Sequence, residues 1–237
     1  LVRNVLYEQS IPVNDAISIR IPTVGEVLEC EDLYYNMVYL ITSTPYDVMA
    51  QLDEMGLDFT KMNDFDLFFV SFGVFQDPCA SLIFGDLDLS RLQTAFNPQN
   101  ELPILIDVER GVVIDRAIHD QICTALRKVH HLKRNPRKPG NKEAKDFLLE
   151  RAKIKLKRQR ERVEESQLEE LIVAMVNTEQ FKYNFETVRE MSIYRFNESV
   201  HQVIKSMDVR DKRQAIFTGN LSVKDVKDGE LNWLTNK

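Results

Sequence analysis

Hydrophobic and polar positions alternate along this chain with two different periods, and the changes of period mark its elements. In AISIRI, Ile17, Ile19 and Ile21 alternate with polar neighbours, the period of a half-buried strand. The preceding NVLYEQ reads as a partner strand reached through the turn-like IPVND, and Pro22 closes the pair. Thr23 with Glu26 forms a capping-box pair, predicting a helix through VGEVLECEDLYYNMVYLI in which Gly25 is a mild cost. STPYDVMAQLDEMG repeats the syntax, with Thr44 as N-cap, Pro45 at the first helical position, Asp47 in the first turn and Gly56 at the end.

MNDFDLFFVSFGVF predicts a third helix, capped by Asn63 or Asp64, whose Phe65, Phe68, Phe69 and Phe72 recur at helical spacing as core positions. LPILIDVERGVVIDRAI carries the clearest strand signal: β-branched runs over 104–108 and 112–114 flank a short ERG turn and read as a hairpin. A helix follows over 116–132, burying Ile118, Ile122, Leu126 and Val129. NPRKPGN then interrupts the pattern with two prolines and a glycine. Beyond it the periods are helical, and the tail is irregular up to the sole tryptophan, Trp233. The expected fold is α+β, predominantly helical with small antiparallel β-hairpins. Its parts are a mixed acidic region with two hairpins over 1–134, a linker over 135–141, and a helical region over 142–237 with a basic helix and a C-terminal docking tail. In that tail Trp233, with Leu231 and Leu234, is expected to anchor the segment in an apolar groove of its own chain or of a neighbour, because a short tail orders only when something ties it down.

Charge changes this picture more than composition does. The chain of 237 residues is 43% hydrophobic with a formal net charge of −6, ordinary for a folded protein. That charge is strongly partitioned: residues 1–126 carry −14, residues 127–162 carry +11 and residues 163–237 carry −3. The basic block could lie against the acidic first half, stand as a solvated face, or seek anions on a partner. Its contact candidates are Lys133, Arg134, Arg137, Lys138, Arg151, Lys155, Arg158 and Arg160. Within the helix predicted over 142–162, cations fall on every side and apolar residues spread over more than half the circle. This is neither a clean amphipathic membrane helix nor a sustained heptad. No row of aromatics interleaves with the cations as single-strand stacking would need, so nucleic-acid binding is expected to be weak.

The catalytic signals are thin. Eight glycines never cluster into a phosphate loop or dinucleotide fingerprint, and neither G-x-S-x-G nor H-E-x-x-H occurs. No run reaches the ~18 apolar residues a membrane span needs, so no membrane partner is expected. The three cysteines, Cys30, Cys79 and Cys123, are odd in number and form no C-x-x-C pair, which argues for a reducing site of synthesis and against that kind of zinc site. Two constellations remain. Asp86 and Asp88 in GDLDLS suit a divalent metal or an acid–base pair, but equally a turn and a helix cap, the reading preferred here. His119, Cys123 and His130 fall within roughly 40° on one helix. Those are zinc-ligand types, yet they border the apolar stripe and read first as packing residues. No metal, cofactor or catalytic residue is therefore expected.

The stretches IPTVGEVLECEDLYY, TPYDVMAQLDEMGLDFT, FGDLDLS, MSIYRFNESV and ELNWL resemble an uncharacterised family encoded by tailed bacteriophages and prophages of Gram-positive bacteria. The likeness runs over nearly the full length. It implies a product of the virion morphogenesis genes, a tail or baseplate component or assembly factor. Such a protein acts without catalysis through contacts with other phage structural proteins in an oligomeric assembly, in the virion or in the host cytoplasm during assembly. An alternative is a nucleic-acid-binding accessory or regulatory protein using the block 127–162.

Overall fold

In the computed structural model, which describes residues 4–75, 78–135, 137–161, 166–227 and 229–234, a short hairpin opens the fold. Strands β1 (Ser10–Pro12) and β2 (Ser18–Arg20) pair antiparallel with Ile11 opposite Ile19. The strand expected over 4–9 therefore starts later. The turn is set by Asn14, whose side chain accepts from the amides of Ala16 (2.9 Å) and Ile17 (2.7 Å) and closes the loop where a strand would need free extended backbone. Ile17, Ile19 and Ile21 are all buried, as their alternation predicts.

The Thr23–Glu26 capping box is formed and starts α1 (Val24–Leu28). The single long helix expected after it is two. Cys30 leaves helical geometry at φ −148°, and α2 (Glu31–Thr42) sets off anew. Gly25 has a reason beyond propensity: a Cβ there would stand 3.1 Å from the Arg189 carbonyl, so the residue lets another segment approach α1 closely. Thr44 does not cap a helix at Pro45. Its amide and hydroxyl instead donate to Asp47 Oδ2 in a turn, and α3 (Met49–Glu54) begins later. Gly56 closes that segment at φ +73°.

Asn63 and Asp66 form a second capping box at the head of α4 (Asp64–Ser71), and Phe65, Phe68 and Phe72 are buried as their spacing requires. After α5 (Ser81–Phe84), Asp88 caps a short 3-10 turn. The chain beyond it is extended. It enters β3 (Gln93–Phe96), an edge strand of a sheet ordered β3-β4-β5 with β4 (Pro103–Asp107) central and β5 (Val112–Ile114) beyond. Helix α6 (Arg116–Val129) follows with Asp115 as N-cap, then α7 (Lys142–Arg160), α8 (Gln167–Val176), α9 (Phe185–Arg189) and the 25-residue α10 (Ile193–Phe217). The fold is α+β, mostly helical, with two small antiparallel sheets.

One apolar cluster joins both sides of segment 135–141. The hairpin isoleucines, Tyr34, Phe68, Leu105 and Ile122 share it with Leu168, Ile172, Ile193 and Phe196. The two ends of the chain are also stitched by backbone: the Val24 amide donates to Met191 O and the Ile193 amide to Pro22 O, each at 2.8 Å.

Candidate functional site

Helix α7 is started by Asn141, whose side chain accepts from the Ala144 amide at 2.8 Å. It runs for 19 residues without one fully buried side chain. One side nevertheless has a seat. Ala144, Lys145, Leu148, Leu149, Ala152 and Leu156 are half-buried, and successive spacings of three and four place them on one face. That face lies on α3 and the turn after it, where ions are matched. Lys145 Nζ stands 2.7 Å from Asp58 Oδ1, Lys153 Nζ 2.5 Å from Asp53 Oδ2, and Arg160 donates to both Glu54 oxygens at 3.1 and 2.9 Å. The Lys145 contact, with the Thr60 hydroxyl and amide, holds the Asp58 carboxyl well below the usual carboxylate range. Part of the +11 block thus lies on the acidic first half of the same chain.

The segment before α7 is tied down in the same way. Arg134 grips Asp64 through Nε and Nη2 at 2.8 and 3.2 Å, and Asn135 Nδ2 donates to Asp47 Oδ1 at 2.9 Å. Arg127 reaches from α6 to the Thr42 carbonyl at 2.6 Å, satisfying an orphan at the end of α2. Between α4, α6 and this segment is a cleft of about 580 Å³, with Arg116, Arg127, Arg134, Arg137 and Lys138 around it against Asp64 and Asp120. Lys133 is exposed beside it.

The expected contact residues therefore divide. Arg134 and Arg160 are spent on carboxylates of their own chain, Arg137 and Lys138 edge the cleft, and Arg151, Lys155 and Arg158 stand on the outer side of α7. That outer side also carries Phe147, 58% exposed, and Ile154, 50% exposed. The Arg151 guanidinium lies 5.6 Å from the Phe147 ring centroid.

The helix-borne His and Cys pack as their stripe position suggests. His119 is fully buried, stacked on Phe68 with centroids 4.6 Å apart, and its Nε2 is 3.2 Å from Ile41 O. Cys123 Sγ donates to the same carbonyl at 3.1 Å. Burial lowers the His119 pKa to about 4 and raises that of Cys123 to about 12, so both are neutral. His130 shares a 2.9 Å hydrogen bond with the Tyr34 hydroxyl instead of joining them, and burial lowers it to about 4 as well. Asp88 accepts from the amide (3.0 Å) and hydroxyl (2.6 Å) of Ser90 as a cap, while Asp86 is exposed two residues before it. Among the described residues no group of three or more His, Cys, Asp or Glu side chains could hold a metal ion.

The tail folds back along α10. Arg213 Nη2 donates to Leu231 O and Gln202 Nε2 to Trp233 O, both at 2.8 Å. Trp233 stands at a cavity of about 680 Å³ together with Leu6, Tyr7, Phe181, Tyr183, Met191 and Arg195. Trp233 remains 40% exposed, Leu231 is half-buried and Leu234 is exposed, and a Lys212–Glu230 ion pair at 3.4 Å adds to the hydrogen bonds on the tail's carbonyls. Sequence reasoning did not anticipate Tyr7, Phe181 or Arg195 here. They come from opposite ends of the chain, and no local spacing links them.

No family model matches this chain, and neither a curated protein nor a solved structure is detectably similar to it. Among the described residues no helix is long and apolar enough to cross a membrane.

Proposed function

We propose that this protein is a non-enzymatic structural or assembly component of a bacteriophage tail or baseplate that acts through protein–protein contacts. The resemblance of IPTVGEVLECEDLYY, FGDLDLS and ELNWL to phage morphogenesis proteins supports the setting. The observation that carries the mode of action is α7, a 19-residue helix seated on one side by ion pairs and presenting cations and large apolar residues on the other. Complementary charge on such a face sets register and association rate between subunits. A non-catalytic role is further supported by the groups whose protonation is most altered. His119, Cys123 and His130 are held neutral by burial and line none of the cavities described above. On this reading the protein works in the virion, or in the host cytoplasm during assembly, within an oligomeric array.

The decisive experiment is mass spectrometry of purified particles and of assembly intermediates, combined with amine cross-linking. The chain should appear at fixed stoichiometry, cross-linked through lysines of α7 to a structural neighbour. Its absence from both, with normal tails formed when its gene is deleted, would sink the proposal. The outward cations and the cleft also support a second reading, a nucleic-acid-binding accessory protein. Phosphate contacts alone give binding that falls steeply with salt. A complex that survives about 200 mM salt with a clear base preference would favour that second reading.

A further inference from the structure

We propose that the outer face of α7 is a docking seam for an acidic amphipathic helix of a partner protein; this rests on the protein-contact reading above and names the partner's chemistry. The face is defined by Phe147, Arg151, Ile154 and Arg158, whose spacing of four, three and four keeps them within about 60° of one another at 100° per residue. The seam is thus straight over three turns, a length of about 16 Å. It lies opposite Leu148, Leu149, Ala152 and Leu156, which sit against α3, so the helix cannot turn these residues inward without breaking the Lys145, Lys153 and Arg160 ion pairs.

Two features identify the occupant. The first is that large apolar side chains alternate with arginines along one line: Phe147 and Ile154 are half or more exposed, and Arg151 covers part of the Phe147 ring. A row at this spacing fits the ridge of another helix better than an extended strand or a flat surface. The second is charge. Arg151 and Arg158 lie in the seam with Lys155 beside them, and none of the three is paired with a carboxylate among the described residues. A partner must bring Glu or Asp to that edge. The opposite edge carries Glu143 and Glu150, so the seam is electrically lopsided and a docked helix has one preferred orientation. A second copy of α7 does not meet these demands, because arginine would face arginine.

The test uses the full-length chain and a designed probe. The probe is a fluorescein-labelled, end-capped helical peptide of 21 residues with leucines at four-three-four spacing, glutamates along one edge and lysines along the other. Anisotropy titrations should show salt-sensitive binding. A scrambled peptide of identical composition should bind about tenfold more weakly or worse, since charge is kept and the apolar ridge lost. F147S/I154S should weaken the patterned peptide about tenfold. R151E/R158E should abolish binding and transfer it to a charge-reversed peptide. Both pairs are exposed, and unchanged circular dichroism and melting temperature will verify that the fold is intact. Equal binding of the scramble, no binding of the patterned peptide near ~1 mM, or displacement of the peptide by a short DNA duplex overturns the proposal. So does a concentration-dependent dimer of the chain that F147S/I154S dissolves. A failed peptide leaves the particle experiment untouched, so the two readings fail separately.

Discussion

Lowering the pH from 7 to 5 should cost this fold stability through its buried histidines, and His119 allows the cost to be worked out. In the native state its ring is neutral, fully buried against Phe68, with Nε2 at the Ile41 carbonyl and the Cys123 sulfur 3.9 Å from Nδ1. A second proton would place an unpaired charge in that site, and burial accordingly lowers the pKa from 6.5 to about 4. Because the folded value lies below the unfolded one, the unfolded chain binds more protons across this window, and stability falls as pH falls from about 6.5 towards 4. At pH 5 the unfolded histidine is almost wholly protonated and the native one hardly at all. Integrated from pH 7 to 5, the difference in bound protons comes to about 1.4 pH units, or about 2 kcal/mol at 1.36 kcal/mol per unit. His130, lowered to about 4 as well, contributes a comparable loss. The wild type should thus lose about 4 kcal/mol between pH 7 and 5, a large share of ordinary domain stability. Urea unfolding followed at 222 nm gives this directly. H119F, which keeps a ring against Phe68 but cannot titrate, should lose only about 2 kcal/mol over the same interval. If H119F and the wild type lose the same amount, His119 is not held neutral and the account of its site is wrong. The depressed carboxylates do not confuse the result. Stability from groups such as Asp107, lowered from 3.8, is lost only as pH falls below that range.

Gly25→Ala should lower the melting temperature although helix propensity alone favours alanine by about 1 kcal/mol, because the new Cβ meets the Arg189 carbonyl at 3.1 Å; a raised melting temperature would contradict that close approach. Phe68→Ala, at a buried ring touching Phe65, Phe72, Phe75 and His119, should cost about 3–5 kcal/mol in urea unfolding. Trp233 is the sole tryptophan and 40% exposed; Gln202→Ala, which removes the donor to its carbonyl, should red-shift its emission and increase iodide quenching, and an unchanged spectrum would show that the tail is held some other way.

What could be read in the sequence was what is local. Thr23 with Glu26, and Asn63 with Asp66, announce helix starts because donor and acceptor are three residues apart. The strands over 103–107 and 112–114 were readable because Ile104, Ile106, Val112, Val113 and Ile114 make two β-branched runs that flank a turn closed by Gly111 at φ +66°. Strand β3 was not, because Gln93, Thr94 and Phe96 are exposed on an edge and leave no apolar alternation to detect. The break at Cys30 escaped because its consequence is tertiary: it orients α2 so that Glu31 accepts from the Leu168 amide and the Ser166 hydroxyl of α8. The site shows the same division. Arg151, Lys155 and Arg158 could be named from charge alone, but which side of α7 faces outward depends on α3, about a hundred residues earlier in the chain. The pairing of Arg134 with Asp64 and of Arg160 with Glu54 was equally nonlocal.

The stitch between Pro22 and Ile193 bears on how the molecule is made. Those residues are about 170 positions apart, so a ribosome working at roughly 5–20 residues per second needs about 10–35 s between delivering one and delivering the other. Through that interval α1, next to the first hairpin, has Val24 and Val27 and neither α9 nor α10 to cover them. The nascent chain therefore carries an uncovered apolar surface for far longer than a hairpin takes to form, which is microseconds. Its yield depends on what shields that surface during synthesis, and codons that slow translation before residue 193 lengthen the wait in direct proportion.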